Sequence, residues 1–236
     1  MKYNNIVEGV YLDRPNRFIA NILIDGKPEK AHIKNTGRCR ELLLTGAKVY
    51  LEDFTQDLGR RKLPYSLIAV EKKLDNGESL LINIDSAAPN KVVFEALLSG
   101  TLRLNGMSKL SAVRPEAKIG ESRLDFYIND VSGRQGYIEV KGVTLEKDGI
   151  AAFPDAPTER GIKHINELIR LKNEGYNTYL IFVIQMGGMK LFTPNWQTHP
   201  QFADALKKAY ENGVKILVYD CIVKQDELVL NKPVKI

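Results

Sequence analysis

The stretch YIEVKGVTL, residues 137–145, sets Glu139 and Lys141 two places apart in an otherwise apolar run. Side chains alternate along a strand with period two, so these opposite charges point the same way. Upstream, LDFYI (124–128) puts Asp125 and Tyr127 on one face and Leu124, Phe126 and Ile128 on the other. A hairpin about Ser132-Gly133 that keeps both apolar sets inside centres near Gly133, with Asp125 opposite Lys141 and Glu139 opposite Tyr127. Ile138 and Val140 then face the core, and Asp125, Glu139 and Lys141 share a patch directed away from it. Two carboxylates and a lysine suit metal-assisted phosphodiester hydrolysis. Hard oxygen donors hold Mg²⁺ or Mn²⁺. Such an ion polarises a phosphoryl oxygen and makes hydroxide available from a bound water. The lysine can orient that water and offset charge building on phosphorus. Asp125, Glu139 and Lys141 are therefore the candidate catalytic residues. Asp125 and Glu139 are the candidate metal ligands, with Glu116 of the preceding strand as a further one and Glu95 as a weaker one. Glu-x-Lys alone is more often a solvated pair worth ~0–1 kcal/mol; Asp125 on the same face raises the weight of the catalytic reading.

A second stretch, FPDAPTERGIKHINEL (153–168), follows at once. Pro154 and Pro157 bracket Asp155 in a stiff turn, and Thr158 is a good N-cap with Glu159 in the first helical turn. Arg160, His164 and Glu167 then fall on the face opposite Ile162, Ile165 and Ile169. A helix N-terminus with an arginine in its first turn is a seat for phosphate, which makes Arg160 and His164 candidate nucleic-acid contacts. HIKNTGRCREL (32–42) gathers Lys34, Arg38 and Arg40 around a glycine turn, a second candidate phosphate loop. His32, His164 and His199 have no metal-ligand spacing, which disfavours zinc.

The elements that must position these groups fall into two halves. Up to about Ser86, short strands are predicted at Ile6–Leu12, Arg17–Ile24, Lys30–Lys34, Ala47–Phe54, Tyr65–Glu71 and Ser79–Ile84, punctuated by turns such as Asp25-Gly26. CRELLL (39–44) has the apolar density for one or two helical turns. That order suggests an OB-like β-barrel over 1–86, a fold that often binds oligonucleotides. From 87 to 236 the pattern becomes α-β-β-β-α-β-α-β, an α/β (α+β) domain with a mixed sheet flanked by helices. Asn90 is the expected N-cap of its first helix, with Val93, Phe94, Leu97 and Leu98 at helical spacing. A second helix is expected over Glu159–Lys172 and a third over Gln201–Glu211. TYLIFVIQ (178–185) reads as a central strand buried on both faces.

The chain has 236 residues, 44% hydrophobic and 27% charged, the balance of a folded globular protein. No apolar run is long enough to span a bilayer and no secretory signal opens the sequence, so a cytoplasmic location is expected. Cys39 and Cys221 form neither a disulfide framework nor a zinc cassette. The net charge of +5 with a pI near 9.0 is compatible with a phosphate-backbone partner and does not demand one. No Gly-rich nucleotide loop and no G-x-S-x-G is present, so a small-molecule enzyme lacks support.

Together NTGRCREL, GESRLDFYI, YIEVKGVTL and FPDAPTERGIKHINEL resemble the sugar fermentation stimulation protein (SfsA) family over nearly the whole chain. The resemblance implies an OB-like domain followed by a domain like the PD-(D/E)XK nucleases, a restriction-endonuclease-like sheet. It implies non-specific DNA binding and a regulatory link to sugar (maltose) metabolism. Asp125, Glu139 and Lys141 match the D…E-x-K signature, Glu116 matches an acidic position before it, and Arg160 and His164 match T-x-R-G-x-x-H. One departure is His199, where the family pattern leads us to expect an aspartate. The expected partner is DNA, with RNA as the alternative, bound without strong sequence specificity; a homodimer is one option for assembly. The expected activity is Mg²⁺- or Mn²⁺-dependent nuclease action, and the competing reading is a DNA-binding regulator that does not cut.

Overall fold

The computed structural model describes residues 1–35, 37 and 39–236. In the N-terminal half the six expected strands form as β1 (Ile6–Asn16), β2 (Ile19–Ile24), β3 (Lys27–Ile33), β4 (Lys48–Asp53), β5 (Tyr65–Lys73) and β6 (Ser79–Asn83). Alternation does the local work. In β2, Ala20, Ile22 and Ile24 are buried and the residues between them are half exposed. Asp25 and Gly26 both take positive φ (49° and 75°), the two-residue turn whose twist matches that of the strands it joins. The strands run β3-β2-β1-β4-β5-β6, and β3 also pairs in parallel with β5 through Ala31↔Tyr65 and Ile33↔Leu67. That contact closes a five-stranded OB barrel, with β6 added outside β5. Closure bends β1 tightly: a Cβ on Gly9 would lie 2.7 Å from Ile22 Cγ2 and 3.0 Å from the Leu23 carbonyl oxygen. The expected helix at CRELLL is one hydrogen-bonded turn, in which Leu42 and Leu43 both donate to the Cys39 carbonyl. It ends where Gly46 turns back to donate to Tyr11.

The C-terminal half comprises α1 (Ala88–Ser99), β7 (Leu110–Ile119), β8 (Ser122–Asp130), β9 (Gln135–Val143), β10 (Leu145–Lys147), β11 (Ile150–Phe153), α2 (Glu159–Asn173), β12 (Asn177–Ile184), β13 (Leu191–Pro194), α3 (Pro200–Glu211), β14 (Lys215–Val223) and β15 (Leu228–Pro233). The main sheet is mixed, in the order β15-β14-β12-β9-β8-β7, with β9, β12 and β14 parallel. As expected, β12 lies inside the sheet and is buried on both sides. Leu180, Phe182 and Ile184 join the core under α2 and α3, and Tyr179, Ile181 and Val183 join the core under α1. The expected order of elements holds, with β10, β11, β13 and β15 added. Of these, β10, β11 and β13 have three or four residues, too few to leave a periodic signal.

Helix α1 corrects one local expectation. It begins at Ala88 with Pro89 in its first turn, and the Asp85 carboxylate accepts from Ala87 N at 2.9 Å. Asn90 therefore lies inside the helix and is not its cap. The helix buries Val92, Val93, Ala96 and Leu97 and leaves Leu98 62% exposed.

The two halves are tied by buried polar contacts. Gln185, just after β12, donates to Asn83 Oδ1 (2.9 Å) and to the Asp85 carbonyl (3.0 Å), and accepts from Asn83 N. Lys72 of β5 forms an ion pair with Glu146 of β10. Among the described residues no helix is long and apolar enough to cross a membrane.

Candidate metal and phosphodiester site

The hairpin between β8 and β9 sets the geometry, and its register differs from the expected one. Phe126 pairs with Ile138, Tyr127 with Tyr137 and Ile128 with Gly136, so the hairpin centres on Ser132 rather than Gly133. The cause is Asp130. Its carboxylate accepts from Ser132 N (2.9 Å), Ser132 Oγ (2.7 Å) and Arg134 N (2.9 Å), fixing a three-residue turn with Gly133 at φ 83°. This register brings Asp125 level with Glu139 instead of Lys141. Facing partners still change by two, so the alternation that groups these side chains survives.

Ladder pairing ends at Phe126, and Asp125 stands where β8 leaves β9. Its Oδ2 accepts from Val140 N at 2.7 Å, so the side chain replaces a strand-to-strand bond. Its Oδ1 accepts from Asn90 Nδ2 of α1, also at 2.7 Å. Burial raises the Asp125 carboxyl above the ordinary aspartate range, and the nearby Glu139 charge raises it further.

Glu139 does not face solvent, as the hairpin alone implied. Helix α2 covers it and leaves it 2% exposed. Its Oε1 accepts from Lys141 Nζ at 2.6 Å and makes a short hydrogen bond with His164 Nδ1. Burial pushes the Glu139 carboxyl upward, but the His164 hydrogen bond and the Lys141 charge outweigh it and leave a net lowering. His164 Nε2 accepts from Arg160 Nε at 3.4 Å, which fixes the proton on Nδ1 and points it at Glu139. The other Glu139 oxygen, Oε2, is buried and accepts no hydrogen bond among the described residues.

Opposite shifts on neighbouring carboxylates give a separable pH signature without metal. Asp125 is raised, so its stabilising contribution is present at low pH and is lost as pH rises through its folded pKa. Glu139 is lowered, so its contribution is present above the unfolded value near ~4.3 and is lost on acidification through its folded pKa. Melting curves in EDTA across acid pH should show that Asp125→Ala removes only the loss on raising pH. An unchanged pH profile in that variant would contradict the assignment.

The other sequence candidates are placed as follows. Glu116 has φ 53° and pairs with Arg123 at 3.4 Å, with its side chain 75% exposed. It does not join Asp125 and Glu139, and among the described residues no group of three or more histidine, cysteine or carboxylate side chains could hold a metal. Glu95 pairs with the N-terminal amine of Met1 at 2.7 Å. Lys34 is not a free phosphate contact: its ammonium lies 2.9 Å from Asp85, a fully buried carboxylate that requires a cation. Arg38 lies outside the described residues. Arg40 is exposed and lines a cleft with Arg14 and Arg17. Arg160 is exposed at the start of α2, beyond Thr158, which accepts from Gly161 N as an N-cap. His164 is 7% exposed, in one stripe with Gly161, Ile165 and Leu168, and supports Glu139 rather than reaching solvent. His199 has a structural job, since its Nδ1 accepts from Thr158 N at 3.2 Å and links the starts of α2 and α3.

Sequence reasoning missed Asn90 as the partner of Asp125. An asparagine just after Ala87-Ala88-Pro89 looks like a cap, and only the packing of α1 against the sheet reveals the contact.

With this geometry in place, comparison with known proteins gives a consistent picture. Residues 87–227 match the family model described as the sugar fermentation stimulation protein RE domain, and residues 12–84 match the SfsA N-terminal OB domain. A sugar fermentation stimulation protein homolog of Alkaliphilus oremlandii is 48% identical over 239 residues, covering 100% of this chain and 98% of that protein. The homolog of Clostridium beijerinckii is 50% identical over 228 residues, covering 97% of this chain and 96% of that protein. Among solved structures, Pyrococcus furiosus SfsA in complex with Ca²⁺ superposes with a TM-score of 0.86 at 27% identity, over 100% of this chain and 97% of that one.

Proposed function

This chain belongs to the sugar fermentation stimulation protein family, and from that premise and its site we propose that it is a metal-dependent nuclease acting on DNA without strong sequence preference. The observation that carries the reading is the buried Glu139 Oε2, which has no hydrogen-bond partner among the described residues, beside Asp125. A buried carboxylate oxygen with no donor is costly unless a cation satisfies it. Asp125 and Glu139 supply hard anionic oxygens, which fit Mg²⁺ or Mn²⁺; Mg²⁺ is commonly held by one or two carboxylates and several waters. The Ca²⁺ bound by the Pyrococcus furiosus relative has the same preference for oxygen donors.

When bound, such an ion would supply Lewis acidity to a phosphoryl oxygen and acidity to a coordinated water. The chain's own residues do the rest. Val140 N and Asn90 hold both oxygens of Asp125, and His164 and Lys141 hold Oε1 of Glu139, leaving Oε2 free to bind. Lys141, with its side chain 15% exposed, keeps a cation at the carboxylates where charge would build on a phosphodiester. Arg160 offers an exposed guanidinium at the start of α2 for a flanking phosphate.

Incubation of the purified protein with supercoiled, linear and single-stranded DNA, with Mg²⁺, Mn²⁺ or EDTA, tests the reading. Cleavage that requires the ion and disappears in EDTA is the expected result. Binding with no cleavage under any ion would leave only the regulator that binds and does not cut. His164→Ala should weaken Mn²⁺ affinity by about 10–100-fold, because it removes the group that orients Glu139. Isothermal titration with Mn²⁺ reads this directly, and an unchanged affinity would make His164 a packing residue only.

A further inference from the structure

The C-terminal half has six arginines, and the fold pairs three of them. Arg123, Arg134 and Arg170 form ion pairs with carboxylates. Among the described residues, Arg103, Arg114 and Arg160 have no carboxylate within ion-pair reach. Arg103 lies between Leu102 and Leu104, which pack into the core under α1, on the far side of the sheet from Glu139. Val113 of the edge strand β7 packs against that same core, so alternation turns Arg114 to the other face, the one that carries Glu139. Arg114 pairs with Tyr127 of β8, and Tyr127 with Tyr137 of β9, one row across three strands. Pro115 restricts the residue before it, Arg114, to extended backbone.

The row is anchored at one end and open at the other. Tyr137 meets Tyr176 and Tyr127 edge-on, with ring centroids 5.3 Å and 5.4 Å apart. The Arg114 guanidinium lies 5.9 Å from the Tyr127 centroid. Burial falls along the row, from Tyr137 at 8% exposed, through half-buried Tyr127, to exposed Arg114. A guanidinium over a ring uses its face and keeps its N–H edge for an anion. The candidate metal site is the next row, since Asp125 stands two residues from Tyr127 along β8 and Glu139 two residues from Tyr137 along β9. One strand spacing and two residues of rise put the Arg114 and Asp125 backbones ~8 Å apart. A long arginine side chain spans that gap to a phosphate beside the one at the ion. On the α2 side, Arg160 Nε lies 3.4 Å from His164, which holds Glu139.

We propose that Arg114 binds the phosphate next to the scissile one, and that the DNA strand crosses the site from Arg160 at the start of α2 to Arg114 on β7. Resting on the reading that the chain acts on DNA, this adds a binding residue and a direction, across the strands of the sheet and out over its open edge.

Fluorescence anisotropy in EDTA tests it, using the full chain and a blunt DNA duplex over a range of salt. Each phosphate contact steepens the fall of log affinity with log salt by about 0.9. Arg114→Gln should therefore flatten that slope by about 0.9 and weaken binding about three- to tenfold at low salt. Arg114→Lys keeps the cation and should hold the slope of the unmodified protein. Arg103→Gln removes an equally exposed arginine from the opposite face and should leave the slope unchanged. Thermal melts verify that the variants stay folded. An unchanged slope in Arg114→Gln, or one flattened as much by Arg103→Gln, would overturn the proposal. No cleavage is read in EDTA, so the two readings fail separately. A protein that shows the expected slopes but never cuts would sink the nuclease reading alone. One that cuts with Mn²⁺ and binds DNA with a slope indifferent to Arg114 would sink this one alone.

Discussion

Glu139→Ala is expected to abolish metal-dependent cleavage, by about 10³-fold or more, while DNA binding in EDTA survives or tightens. The loss is large because one substitution removes several things at once. It deletes the free oxygen proposed to bind the cation and strips Lys141 of the acceptor that holds it in place. Removing a single preorganised electrostatic group costs ~10²–10³ in turnover, and loss of the ion adds to that. Binding should survive because the basic loops of the barrel are untouched, and the lost anion would otherwise repel phosphate. Asp125→Ala should behave alike, since its carboxylate is the second proposed ligand. A companion measurement separates ligand loss from misfolding. A saturating ion stabilises a site by RT ln(1 + [L]/Kd), ~2.7 kcal/mol at a hundredfold excess over Kd. Mn²⁺ should therefore raise the melting temperature of the unmodified protein and not that of Glu139→Ala. Undiminished Mn²⁺-dependent cutting by purified Glu139→Ala would end the assignment of this site.

Lys72→Met should cost the whole chain about 3–5 kcal/mol, the usual penalty for stranding a buried charge. Glu146, with its side chain 2% exposed, accepts from Lys72 Nζ and from Gly149 N at 2.7 Å. Without the lysine only the backbone donor remains, and a carboxylate that solvent cannot reach has lost its counterion. Lys72 comes from the barrel and Glu146 from the small sheet beside the candidate site, so the damage crosses between the halves. The apolar core is also shared: Ile22 and Leu67 of the barrel belong to the same cluster as Phe182 and Phe202. Urea denaturation should shift as one transition, with probes in both halves moving together. The double variant Lys72→Met/Glu146→Gln should recover much of the loss, because it removes the stranded charge. Retention of full stability by Lys72→Met would show the pair to be an ordinary surface contact.

The sequence by itself determined what depends on neighbours along the chain. Short apolar runs between turn signals identified the barrel strands near 17–24 and 65–71, alternation sorted the faces of 124–128, and Thr158 before Glu159-Arg160 identified the start of α2, because turns, strand faces and helix caps are set by short-range sterics and hydrogen bonding. The same alternation grouped Asp125 with Glu139 and Lys141. Tertiary structure decided the rest. Asp130 shifted the hairpin by organising its turn, α2 buried Glu139 and turned His164 onto it, and α1 brought Asn90 to Asp125. It also took Lys34 for Asp85 and left Glu116 with Arg123. A periodic pattern specifies which side chains share a face. What covers that face is chosen by packing between segments distant in sequence, and so is whether a charge there finds a partner, a cation or water.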